Sequence, residues 1–352
     1  MILFTFGHPN NMAKNLDQRI QCLLTLGRKM AEVSAPDLVS SLAQAERENP
    51  WFTRSGLLGA LHAIRTEFLT EDSLRHMVAM YRLDDNIVSK RVGIIMAGNL
   101  PLVGFHDLMC CFLAGHHAIV KYSDKDAVMM RWVVGTLSAC DPEAAGLLTA
   151  TDVLKDYDGV IATGSNASAA QFRYYFRHVP HIIRQNRNSV AVIRGDESPQ
   201  DLEKLGEDIF SYFGMGCRNV SHICVPEGYD ITALFEAFRA FRDVVNHHKY
   251  KNNFDYNLAV FLLNKEPFLH NEFLILRESE QIISRIAVLH YHRYSGAREL
   301  EDWLTARKDQ IQCVVSQEPV PGFDHVSYGL AQCPTIDTYA DGVDTMQFLL
   351  SI

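Results

Sequence analysis

Between residues 13 and 85 apolar side chains return at the three- and four-residue steps of a helix. Leu16, Ile20, Leu23, Leu24 and Met30 form one series, and Ser73, Leu74, Met77 and Met80 repeat it. This predicts an α-rich N-terminal portion. From Arg91 the pattern changes: short β-branched runs at residues 92–96, 118–121, 159–162, 190–193 and 221–225 alternate with helical stretches of about 10–15 residues. Such alternation marks an α/β domain with a mostly parallel sheet. Asp196-Glu197-Ser198-Pro199 reads as a turn into a helix from Gln200 to about Phe213, which puts a domain boundary near 195. Runs at 259–263 and 286–290, with helices between, predict a second α/β lobe. A last strand is predicted at 345–350. The tail after Pro321 is therefore expected to return to the first lobe or to supply an oligomer contact, because a terminal strand would otherwise expose an unpaired edge.

Composition narrows the classes. The chain has 352 residues, of which 47% are hydrophobic and 21% charged, enough to bury a large core and to exclude disorder as the main state. That length predicts two domains, and a cleft between lobes is where enzymes hold substrates. With 33 basic and 42 acidic residues the net charge is −9, which argues against a nucleic-acid surface. The opening MILFTFGHPNNMAKN has no basic segment followed by an apolar one, so no secretory signal is expected and a cytoplasmic location follows. The most apolar stretch, 100–120, is broken by Pro101, His106, Asp107, His116 and His117, so no membrane span is expected. Eight cysteines are scattered without CxxC spacing, which argues against a zinc site or a disulfide framework and for reduced core thiols. His247, His248, Lys249 and Lys251 read as a solvated basic cluster, and no internal repeat or low-complexity tract is present.

Four segments could carry chemistry. In Gly214-Met215-Gly216-Cys217-Arg218 the glycines let the backbone approach a ligand, and Arg218 could favour the thiolate that acts as nucleophile in acyl transfer. A buried structural cysteine is the competing reading. Asn99, in Ala97-Gly98-Asn99-Leu100-Pro101, closes the first strand of the α/β section, where an amide donor could meet a developing oxyanion; a plain turn Asn before Pro fits as well. Lys121 and Ser123 close the second strand and could hydrogen-bond a ribose or phosphate, or simply be a solvated end. Gly164 and Ser165 open a helix after the third strand, where free N–H groups suit a pyrophosphate, although a capped helix without ligand fits equally. No GxGxxG is present.

In order and spacing these segments resemble the aldehyde dehydrogenase superfamily over about residues 92–345. More narrowly, AGNLPLVGFHD, TGSNASA, GMGCRNVS and YGLAQCPTIDTYADGVDTMQFL resemble acyl-CoA reductases of the LuxC type. The resemblance implies an α/β, aldehyde dehydrogenase-like fold with two lobes of parallel-rich sheets around a cleft and a helical N-terminal portion. Residues 1–194 and 318–352 would form the helical portion plus the nicotinamide-dinucleotide-binding domain, and 195–317 the domain bearing the catalytic cysteine. It implies Cys217 as nucleophile, Asn99 and the Cys217 N–H at the oxyanion, the adenine ribose near Lys121 and Ser123, and the pyrophosphate near Gly164 and Ser165. NADPH or NADH is the implied cofactor, coenzyme A part of the implied substrate, and a homodimer the implied assembly. Lys121 and Lys125 lean towards the 2′-phosphate of NADPH, against which Asp124 and Asp126 count. Gly329, Gln332 and Asp341 are expected to line the cleft.

One departure is informative. Ordinary aldehyde dehydrogenases carry, upstream of the cysteine, a glutamate that activates water; here the corresponding stretch, Ile183-Arg184-Gln185-Asn186-Arg187-Asn188-Ser189, has no carboxylate. Hydrolysis to an acid should then be slow, whereas exchange between thiols needs no activated water. The expected activity is reduction of an acyl-CoA, with long fatty chains favoured by the resemblance, to an aldehyde through an acyl-cysteine. Acyl-phosphate reduction, aldehyde oxidation, cofactor-free thiol acyl transfer and a non-catalytic nucleotide-binding subunit are the alternatives.

Overall fold

The computed structural model describes residues 15–352; residues 1–14, which hold most of MILFTFGHPNNMAKN and the first positions of the expected helical stretch, lie outside the described residues. Helices α1 (Leu16–Ala31), α2 (Pro36–Glu48), α3 (Arg54–Ala63) and α4 (Glu71–Tyr81) form the N-terminal layer. Asn15, Thr53 and Thr70 cap three of them, accepting from the N–H groups of Asp17, Gly56 and Ser73. The apolar stripe of α1, with Ile20, Leu23, Leu26 and Met30, is buried in one cluster with α5 (Phe105–Ala114) and α6 (Ala127–Cys140).

A short α7 (Pro142–Ala145) follows, and these helices alternate with a five-stranded parallel sheet: β1 (Arg91–Ile95), β2 (His117–Lys121), β3 (Leu148–Ala150), β4 (Gly159–Thr163) and β5 (His181–Arg184), in the order β3-β2-β1-β4-β5. Both faces are covered. Alternation along β4 sends Ile161 into the cluster with α5 and α6, while Val160 and Ala162 pack with Phe172 and Phe176 at α8 (Asn166–Tyr175). The chain winds outward from β1 through β2 to β3, then crosses to β4 and β5 on the other side. The carboxyl ends of β1 and β4 therefore open a crevice at the point of reversal.

The chain leaves this sheet after Arg184 and enters a second at Asn188, a few residues before the boundary expected near 195. The second sheet comprises β6 (Asn188–Val192), β7 (Val220–Pro226), β8 (Leu269–His270), β9 (Ile275–Glu278), β10 (Val288–Tyr294), β11 (Ile311–Val315) and β12 (His325–Val326), in the order β12-β11-β6-β7-β10-β9-β8. Only the β8–β9 pair is antiparallel among the described strands. Helix α9 (Pro199–Phe210) starts with a reciprocal Ser198–Asp201 capping box where a helix was expected. It stops at Phe210 rather than Phe213, because Tyr212 and Phe213 turn left-handed (φ 51° and 59°). Helices α10 (Ala233–Ala237), α11 (His248–Asn264), α12 (Ala297–Thr305) and α13 (Thr345–Ser351) complete the chain.

Two expected strands are helices. The run at 259–263 lies inside α11, whose buried residues Tyr250, Phe254, Asn257 and Phe261 keep helical steps, leaving Leu262 and Leu263 61% and 82% exposed. The segment 345–350 is α13, capped by the Asp344 carboxylate accepting from Gln347 N–H. It buries Thr345, Met346 and Leu349 and packs on α5. The tail thus divides: β12 joins the second sheet and α13 the first lobe. The basic cluster is not merely solvated either, since His247 stacks on Trp51 (5.2 Å), packs tilted against Phe213 (4.2 Å), and its Nε2 lies 2.7 Å from the Pro50 carbonyl. Among the described residues no helix is long and apolar enough to cross a membrane.

Candidate active site

A cleft of about 940 Å³ lies at the carboxyl ends of the first sheet's strands, and Asn99, Lys121, Ser123, Gly164, Ser165 and Cys217 all line it. The loop after β1 is pressed against the loop after β2: a Cβ on Gly98 would sit 2.4 Å from Ser123 Oγ, so only glycine fits there. Asp126, expected to oppose a 2′-phosphate, is instead 3% exposed and its Oδ2 accepts the Leu102 N–H at 2.6 Å. Burial pushes its carboxyl up to about 8. Lys125 and Asp124 do line the cleft. At the end of β4, Ser165 caps α8, its Oγ accepting from Ser168 N–H at 3.2 Å. A Cβ on Gly164 would meet Ser168 and Phe172 at 2.9 and 3.0 Å, so the glycine lets the strand turn directly into the helix.

Cys217 arrives from the second lobe on a tightly held loop. Asn219, fully buried, accepts the Gly216 N–H through Oδ1 at 2.7 Å and donates from Nδ2 to the carbonyls of Asp208 and Ser211. Ser189 Oγ on β6 donates to the Cys217 carbonyl at 3.2 Å, and Arg218 Nε to the Ala331 carbonyl at 2.7 Å. The two lobes meet at the thiol: Asn99 Nδ2 donates to the Met215 carbonyl at 2.9 Å, which leaves its second N–H free. Burial pushes the Cys217 thiol up to about 11. Arg218 pulls in the expected direction but is outweighed.

The stretch without a glutamate holds two arginines whose partners the sequence did not reveal. Arg184 Nη1 pairs with Asp107 Oδ2 at 2.5 Å and Nη2 donates to Thr345 Oγ1 at 2.6 Å, all three residues being buried. Arg187 Nε lies 3.5 Å from Asp341 Oδ1. Asp341, which does line the cleft, is near enough for its charge to act on Cys217, and its own carboxyl is raised by burial against the pull of Arg187. Gln332 also lines the cleft; Gly329 does not, its N–H donating to Asp208 Oδ2 at 2.7 Å. Gln312 went unnoticed in the sequence. It and Gln332 each present to the cleft lining an amide whose Nε2 is buried without a hydrogen-bond partner.

These donors fit a dinucleotide. The ammonium and hydroxyl of Lys121 and Ser123, the first turn of α8 and the two unpaired amides share one cleft at a strand-order reversal.

No protein-family model matches the chain, and no curated protein does. Solved structures do. Aldehyde dehydrogenase 21 from Physcomitrella patens, in complex with the reaction product succinate, is similar at 11% identity over 97% of this chain and 85% of its own, with a TM-score of 0.70. An oxidoreductase from Marinobacter aquaeolei is similar at 12% identity over 96% and 85% of the two chains, with a TM-score of 0.72. A Mycobacterium tuberculosis aldehyde dehydrogenase complexed with NAD+ is similar at 13% identity over 98% and 86%, with a TM-score of 0.67.

Proposed function

Starting from this aldehyde dehydrogenase-like α/β fold, we propose that the chain is an NAD(P)H-dependent reductase that converts an acyl-CoA thioester to an aldehyde through an acyl-Cys217 intermediate. The carrying observation is a half-buried cysteine in the cleft while the 183–189 stretch offers no carboxylate to activate water. Cys217 attacks the thioester carbonyl, the bond to the CoA sulfur breaks, and the Cys217 proton leaves with the CoA thiol. This exchange is proton-neutral overall; the attacking species is the thiolate, which burial disfavours and Arg218 favours. The free N–H of Asn99 and the Cys217 N–H hold the tetrahedral oxyanion. A bound reduced nicotinamide supplies the hydride. Hydride addition leaves an alkoxide on the Cys217 adduct, and its collapse releases the aldehyde and a thiolate that takes up a proton from solvent.

Lys121 and Ser123 bind the adenine ribose, and Gly164 and Ser165 the pyrophosphate at the start of α8. Lys121 and Lys125 favour NADPH; of the two opposing carboxylates Asp126 is turned away and bound to Leu102 N–H, while Asp124 still lines the cleft. The expected result is oxidation of NADPH with a series of acyl-CoAs, lost in Cys217→Ala together with the acyl adduct seen by mass spectrometry. Turnover or an adduct surviving in that variant overturns the assignment.

One observation favours a second reading. Asp341 is a cleft carboxylate whose charge reaches Cys217, and as a base it would support aldehyde oxidation. Acid formation from aldehyde and NAD(P)+ that is lost in Asp341→Asn would select this second reading.

A further inference from the structure

Away from the cleft, the described residues bring three metal-ligating side chains together: His222, Cys224 and His292, whose donor atoms lie within 4.8 Å of one another. Strand alternation puts His222 and Cys224 on one face of β7. The parallel register sets His290 level with His222, and His292 level with Cys224, on β10. All four are buried.

The hydrogen bonds leave this cluster one partner short. His222 Nδ1 and His290 Nδ1 each lie 2.9 Å from the Gln281 carbonyl oxygen, which only accepts, so both rings carry their proton on Nδ1. His222 Nε2, then a lone pair, is 2.8 Å from His292 Nδ1, which must be the donor. His292 Nε2 is therefore a second lone pair, and it is buried with no partner at all. A buried imidazole lone pair without a donor, beside a buried thiol and a second neutral imidazole, lacks an electrophile.

The surroundings form a cover. Trp303 of α12 stacks on His292 at 3.9 Å and lies 4.7 Å from His222. Glu280 Oε2 accepts from both Trp303 Nε1 and Arg307 Nη2, at 2.6 and 2.7 Å. Its charge acts on Cys224 and His292; the charge of Arg307 partly offsets it at His292 and outweighs it at Cys224.

We propose that His222, Cys224 and His292 form a zinc site that ties β7 to β10 beneath α12, with a water molecule in the fourth position. Two imidazoles and a thiolate are a donor set for zinc and not for magnesium or calcium. Zn2+ takes the lone pairs of His222 and His292 and the sulfur of Cys224, whose proton passes to solvent. The hydrogen bond from His222 Nδ1–H to Gln281 stays in place and orients the ring.

The test uses the full chain. After dialysis against metal-free buffer it is expected to retain about one zinc per chain by elemental analysis. After stripping with a chelator, Co2+ alone should bind with a thiolate-to-cobalt absorption band in the near ultraviolet. That band is expected in Cys217→Ala and His290→Ala, and to be lost in Cys224→Ser and His292→Ala. Zn2+ should also raise the melting temperature of the stripped wild-type protein, a readout that needs no variant to fold. Absence of retained zinc together with absence of a cobalt band in the wild type overturns the proposal. So does a band that survives Cys224→Ser and disappears in Cys217→Ala, which would place the metal on the cleft thiol. The outcome is independent of whether the cleft reduces acyl-CoA.

Discussion

Asn99 is placed to work at the reacting centre because one N–H is spent on the Met215 carbonyl, fixing the side chain, while the other is free. One oxyanion donor is worth about 10²–10³ in rate, so Asn99→Ala should lower kcat by that factor in the acyl-CoA assay; an unchanged kcat removes the residue from the mechanism. Cys217 behaves differently from the expectation drawn from Arg218. A thiol at about 11 is neutral near pH 7, and its thiolate fraction rises about tenfold per pH unit below that value. In a Cys333→Ser background, chosen because Cys333 is exposed, iodoacetamide labelling of the Cys217 peptide should accelerate steadily from about pH 7 to pH 10. A plateau near neutrality would show an activated thiol. Arg218→Gln, which removes the one neighbouring charge that pulls the thiol down, should slow labelling at every pH in that range.

At the level of elements, the nucleophile loop is held by a close approach that no longer side chain allows. A Cβ on Gly216 would lie 2.7 Å from Asn219 Oδ1 and 2.9 Å from Leu100 Cδ1, so Gly216→Ala must push apart the Asn219 hook and the loop carrying Asn99. The expected outcome is a drop in kcat/KM of about tenfold or more with little change in melting temperature, since the displacement is local to the reacting groups. Equal losses of stability and activity would show the loop to be a general core element. The glycines and the cysteine were legible in the sequence because backbone freedom and nucleophilicity belong to single residues. Asn219 was not, because its role consists of three hydrogen bonds, one to Gly216 on its own loop and two to carbonyls at the end of α9.

Over the whole molecule, the first lobe is closed by a buried ion pair that joins α5, β5 and α13 through Asp107, Arg184 and Thr345. Removing one partner leaves an uncompensated buried charge, so Asp107→Ala should cost about 3–5 kcal/mol in urea denaturation. Asp107→Ala combined with Arg184→Met should recover part of that; a single variant as stable as wild type would show that water reaches the guanidinium. The one trace of this pair in the sequence is an aspartate in the FHDLMCCFLA helix, apolar but for it and His106, and nothing there names its partner.

The sequence by itself determined what depends on local period and single-residue chemistry: the helical N-terminal layer, the parallel strands near 92, 118 and 159, the helix that follows the turn at 196–199, and the segments bearing Asn99, Lys121, Gly164 and Cys217 that line the cleft. Only the tertiary structure decided what depends on burial and on pairing between distant segments. It made 259–263 and 345–350 helical, because a short apolar run has no period of its own and takes the form of the surface it packs on. It assigned β6 to the second sheet, since sheet membership is a choice of neighbour. It also set His292 beside His222 and Cys224, because a register between two strands can place ligands at spacings that no linear motif encodes.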